Sequence, residues 1–114
     1  MILYHFSDAL YSELLPSIGS KRHDAEDKRA IGKAVIWLTS SLTGAPGIKG
    51  ETLFRYEVEV DENDPCLHKD EANESLRQGW KMMQPSRADA VQQMPIEYFY
   101  TKPLKVISVT EITN

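Results

Sequence analysis

The side chains of this 114-residue chain best suited to chemistry fall in three separated pieces. His5 lies in Ile2-Leu3-Tyr4-His5-Phe6-Ser7, Trp37 in Ala34-Val35-Ile36-Trp37-Leu38-Thr39 with Ser40 behind it, and Glu97 in Ile96-Glu97-Tyr98-Phe99-Tyr100. An imidazole at the carboxyl end of a strand stands where ligands of mixed α and β domains commonly sit. The same histidine is equally suited to a core position, tied to a neighbouring carbonyl. Glu97 is flanked by apolar rings, where its ionised form costs desolvation energy unless a hydroxyl or imidazole compensates. His5, Thr39 and Ser40 are the candidates to do so.

Other constellations are weaker. Cys66 and His68, with Asp64 and Asp70 nearby, sketch a metal site. Structural zinc takes four ligands, mostly nitrogen and sulfur, and one Cys with one His falls short. The same pair makes a poor nucleophile and base, since residues two apart need not face each other and no third group orients them. Lys21 and Arg22 are interleaved with acids, which reads as a solvated segment rather than a phosphate site. No P-loop, G-x-G-x-x-G, H-E-x-x-H or paired C-x-x-C occurs.

The elements that must position these groups follow from periodicity. Ile2–Ser7 and Ala34–Thr39 are short apolar runs and read as strands. Between them Ser7 and Asp8 open a predicted helix over 8–15, with Leu10, Tyr11, Leu14, Leu15 and Ile18 on one stripe and Pro16 at its end. Residues 40–47 are rich in hydroxyls and glycine and read as a loop. Thr52–Val60 alternates, with Phe54, Tyr56, Val58 and Val60 on the inner face and Glu57 and Glu59 on the solvated one. Asp61–Pro65 closes this strand as a turn. A helix is predicted over 70–83, with Ala72, Leu76, Trp80 and Met83 on one face and Gly79 as a weak point. Ser86-Arg87-Ala88-Asp89 reads as a capping box for a second short helix ending before Pro95. Strands over 96–101 and 104–112 follow, joined at Lys102-Pro103.

This order predicts one compact α+β domain over 1–114, with a bent or split, mainly antiparallel sheet and two or three flanking helices. The length suits one core. Hydrophobic residues at 41% and charged residues at 26% describe a globular chain. A net charge of -4 supplies no global attraction to nucleic acid. The single Cys66 cannot form an internal disulfide, the N-terminus shows no signal-peptide pattern, and no apolar run is long enough to span a bilayer. A cytoplasmic protein with no membrane partner is the expectation.

Taken together and in order, Leu3–Ser7, Val35–Ser40 and Ile96–Tyr100 leading into Pro103–Ile107 resemble the core of ADP-ribosyltransferase-like folds. The resemblance extends to small bacterial proteins that pair a YHFS start with a WLTSS strand and a glutamate before two aromatics. It implies NAD as substrate. His5 would bond a ribose hydroxyl, the Phe6 backbone the nicotinamide carboxamide, and Ser7 would stand beside them. Trp37 falls where a stacking Tyr is frequent, with Thr39 and Ser40 at the hydroxyl end of that strand. Glu97 falls on the acidic residue that holds the ribose 2′-hydroxyl and favours departure of nicotinamide. A carboxylate there would stabilise the oxocarbenium-like sugar, and a flat ring would stack on the leaving base. The implied partners are a small-molecule nucleotide and a protein or nucleic-acid acceptor. Phe6 stands where Gly is frequent, and Pro95 stands where a second acid would favour modification of arginine. A non-catalytic interaction or nucleotide-binding module on the same fold is the alternative.

Overall fold

The computed structural model describes residues 1–17, 34–42, 52–83 and 95–113. Six strands form one sheet in the order β5-β6-β3-β1-β4-β8. In chain order these are β1 (Ile2–Ser7), β3 (Ile36–Thr39), β4 (Thr52–Glu59), β5 (Leu67–Lys69), β6 (Glu97–Tyr100) and β8 (Ser108–Thr113). A small ribbon pairs β2 (Glu13–Leu14) with β7 (Leu104–Lys105). Every recorded strand pair is antiparallel. Among the described residues the helix is α1, Glu71–Met83. The domain is therefore α+β with a mostly antiparallel sheet.

Alternation divides the sheet into two faces. Leu3, Leu38, Tyr56, Val58, Tyr98 and Tyr100 point to the inner face and are buried, joined there by Leu14 and Leu104 from the ribbon. Tyr4, Phe6, Trp37, Arg55, Glu97 and Phe99 occupy the outer face and are half-buried. The predicted alternation of 52–60 holds for Tyr56, Val58 and Val60, with Glu59 exposed.

The helix predicted over 8–15 does not form. Tyr56 captures that segment instead: its hydroxyl accepts from the Tyr11 amide at 2.8 Å and donates to the Ala9 carbonyl. Leu14 enters the core through the β2–β7 pairing, Leu14 opposite Leu104, while Leu10 and Leu15 are left exposed. Tertiary pairing has overridden a local apolar stripe. The last predicted strand is also divided. Leu104–Lys105 joins the ribbon, and after Val106 and Ile107 the chain enters the main sheet as β8 beside β4.

The helix over 70–83 forms as expected, with Glu71 and Glu74 in its first turn favouring the positive end of the dipole. Leu76, assigned to its apolar face, is exposed. The side chains of Ala72, Trp80 and Met83 lie outside the described set, as do the 21–29 charged run, most of the 40–47 loop and the 86–94 helix. Strand β5 is an element that periodicity missed, because three residues are too few to show a period.

Candidate functional site

Strand β3 is the strand on which the site is built. Near its carboxyl end Thr39 pairs with Tyr4 of β1, and near its amino end Val35 exchanges two 3.1 Å backbone bonds with Ser17, just after β2. The sheet thus forks beside β3, with β1 on one prong and the β2 extension on the other. At the fork the Trp37 carbonyl meets the imidazole of His5, with Nδ1 at 2.7 Å. Nδ1 must carry the proton to donate to that carbonyl. The reading of His5 as a histidine tied to a neighbouring carbonyl is what the geometry delivers. Its ring lies on the inner face, 5.9 Å from that of Tyr56.

On the outer face the register puts Thr39 opposite Glu97 and Trp37 opposite Phe99. The Thr39 hydroxyl donates to Glu97 Oε1 at 3.2 Å, and its oxygen accepts from the Ser41 amide at 3.1 Å. The backbone of Glu97 is fixed from the other side. Its carbonyl accepts from the Asp70 amide at 2.9 Å, and its N–H donates to Asn73 Oδ1 at 3.2 Å. The Asp70 bond extends the β5–β6 ladder one residue past β5, and the Asn73 side chain supplies the second bond from the first turn of α1. Trp37 packs edge-on against Phe99 at 5.6 Å, and Phe99 stacks on His68 at 5.0 Å. Farther along, the Arg55 guanidinium lies 5.7 Å from the Tyr4 ring centre and donates to the Leu42 carbonyl at 3.0 Å.

The seven residues named from sequence are thus distributed as follows. Trp37, Thr39 and Glu97 share one face of adjacent strands. Ser40 is a staple: its amide donates to the Ile96 carbonyl at 3.0 Å and its Oγ accepts from the Ile96 amide at 2.8 Å. Ser7 Oγ accepts from the Ala9 amide at 3.2 Å, turning the chain out of β1 rather than capping a helix. Phe6 pairs with Arg55 across β1 and β4. His5 and Glu97 do not stand on neighbouring strands: β3 lies between β1 and β6, and the two side chains occupy opposite faces. A period of two makes that outcome sensitive to register, since a one-residue slip exchanges the faces.

Sequence reasoning missed Asn73 and Asp70, which hold the Glu97 backbone, and Asp70 is buried. The acidic start of α1 was the available signal, but nothing in the sequence tied it to Glu97. Among the described residues no group of three His, Cys, Asp or Glu side chains could hold a metal ion. No helix among them is long and apolar enough to cross a membrane. An open cavity of ≈ 290 Å³ lies elsewhere, lined by Met1, Glu62, Asn63, Leu67, Lys69 and Tyr98. No known protein family, curated protein or solved structure matches this chain.

Proposed function

We propose that the outer face around Trp37, Thr39 and Glu97 takes NAD and breaks its nicotinamide–ribose bond, passing ADP-ribose to water or to a protein or nucleic-acid acceptor. The observation that carries this reading is the Thr39–Glu97 hydrogen bond on the face that also bears Trp37. It gives an oriented carboxylate and a flat aromatic within one cross-strand row of each other. In the reaction the C1′–N bond breaks with its electron pair passing to the nicotinamide ring. A nucleophile then adds at C1′ and releases its proton. Glu97 bonds the ribose 2′-hydroxyl and offsets the positive charge that develops at C1′. Trp37 supplies the stacking surface for the leaving ring.

His5 takes a different part from the one the family resemblance implies. Its Nδ1 is engaged by the Trp37 carbonyl, so it acts first on the path of β3. Its position on the inner face favours a second reading, a non-catalytic module that binds a nucleotide or a protein partner through the outer face. Calorimetric titration with NAD and with nicotinamide, read together with NAD consumption, separates the two. Saturable heat with NAD is expected. Glu97→Gln should keep the fold and the affinity but lower NAD consumption at least about a hundredfold, the scale of one electrostatic transition-state contact. Equal turnover by variant and parent removes Glu97 from the mechanism, and no heat at millimolar NAD leaves the module.

A further inference from the structure

The two edges of the main sheet are built differently. β5 is three residues long, follows closely on Pro65 and carries Lys69. Short length, a lysine and a nearby proline are devices that keep a sheet edge from pairing with another chain. β8, at the far edge, has none of them. It runs for six residues, Ser108–Thr113, without Lys or Pro. Val109, Thr110, Ile112 and Thr113 are β-branched, which suits a paired strand, and Glu111 is its single charge.

An antiparallel strand directs the backbone groups of alternate residues to each of its two sides. The β4 side of β8 is paired from Ser108 opposite Glu57 to Thr113 opposite Thr52. Among the described residues no strand lies on the other side. The side chains are open as well, since every β8 residue except Ile112 is exposed. On the inner face Val109 stands opposite the buried Tyr56 with 40% of its surface in solvent. The half-exposed Tyr11 ring lies 6.1 Å from that of Tyr56, and Ile107, just ahead of β8, is exposed too. A row of free N–H and C=O groups beside apolar side chains is matched by another extended strand.

We propose that β8 pairs with β8 of a second copy of this chain, antiparallel about a twofold axis normal to the sheet, so that two sheets join into one. That axis keeps both inner faces on the same side, so residues of equal parity meet and the axis passes at a residue. Centred on Thr110, it aligns residues 108–112 with their copies. Thr110 then meets the partner's Thr110, Val109 meets the partner's Glu111, and Ser108 meets the partner's Ile112. Two threonines are a favourable cross-strand pair, and no like charges stand directly opposite. Centring on Glu111 sets two carboxylates face to face, and centring on Val109 or Ile112 shortens the overlap. The strand is therefore self-complementary in one register, which favours a second copy over an unrelated strand. The contact is confined to the sheet edge and does not depend on NAD chemistry around Trp37 and Glu97.

The test is sedimentation equilibrium of the full chain from about 5 to about 500 µM. One strand pair is a small interface, so a dissociation constant of about 10–100 µM is expected. The mass should rise from 13.0 kDa toward twice that value and stop, because a twofold contact consumes the edge. Exchange of β8 amides should slow as the protein is concentrated. Val109→Glu sets a carboxylate opposite the partner's Glu111 at two places in the dimer and should weaken it about tenfold. Adding Glu111→Lys to that variant turns both repulsions into opposite-charge pairs and should recover most of the loss. Lys69→Gln, on the other edge, should leave the dimer unchanged. A parent chain that stays monomeric at the highest concentration overturns the proposal whatever the variants do. So does a mass that grows past the dimer, β8 exchange that ignores concentration, a dimer lost in Lys69→Gln, or no recovery in the double variant.

Discussion

Tyr56→Phe removes one oxygen and tests how the chain between β1 and β2 is held. The Tyr56 ring is fully buried in the centre of the core. Its hydroxyl both accepts from the Tyr11 amide and donates to the Ala9 carbonyl. Burial raises the pKa of this phenol, so it remains a donor at neutral pH. Each such bond contributes about 0.5–1.5 kcal/mol net. Two bonds give roughly 1–3 kcal/mol, and because Tyr11 is half exposed, water replaces part of the loss. We expect a loss of about 2 kcal/mol. With a urea slope of about 2 kcal/mol per molar, the unfolding midpoint should fall by about 1 M with the slope unchanged. Hydrogen exchange adds a local readout: the Tyr11 amide should lose protection while amides in β4 keep theirs relative to global stability. An unchanged midpoint, or a Tyr11 amide as protected as in the parent, would refute the idea that this phenol holds the segment out of its helical pattern.

Two further outcomes follow from other parts of the fold. Tyr100 donates to Asp64 Oδ2 at 2.8 Å, and this bond first, then burial, pushes its phenol up to about 12. A raised phenol contributes stability that is present below its ordinary value of 10.0 and is lost as pH rises from there to about 12. Asp64 shows the opposite sign. The Cys66 amide first, then the Tyr100 hydroxyl, hold its carboxyl below 3.8, so its contribution is present above that value and fades as pH falls through the lower folded one. Asp64→Asn should therefore bring the last phenol of the ultraviolet titration back toward its ordinary value; an unchanged alkaline limb would sink this account. Gly79, inside α1, has nothing within 4 Å of where a Cβ would stand. Gly79→Ala should accordingly stabilise the protein by about 0.5–1 kcal/mol in a thermal melt, and a lower melting temperature would show that α1 is not helical there.

The sequence by itself determined the parts whose signal is local. Alternation in 52–60 identified β4 and its buried face, because one strand between core and solvent writes its period into its own residues. The acids at Glu71 and Glu74 marked the start of α1 in the same way. Parity along 96–100 is local in the same sense: Glu97 shares a face with Phe99, opposite the buried Tyr98 and Tyr100. Tertiary structure decided what depends on partners far away in the chain. Leu10, Tyr11, Leu14 and Leu15 carry a helical stripe, but a phenol 45 positions on from Tyr11 binds its backbone and leaves the stripe unused. The run from Leu104 to Ile112 reads as one strand, yet its two ends pair with β2 and β4 and so belong to different sheets. The candidate site was divided by the same cause. His5 and Glu97 are each legible as chemistry-bearing residues, but which face each one occupies is fixed by the Tyr4–Thr39 and Thr39–Glu97 registers. Register is a relation between strands, and with a period of two it assigns a side chain to one face or the other only once the strands have met.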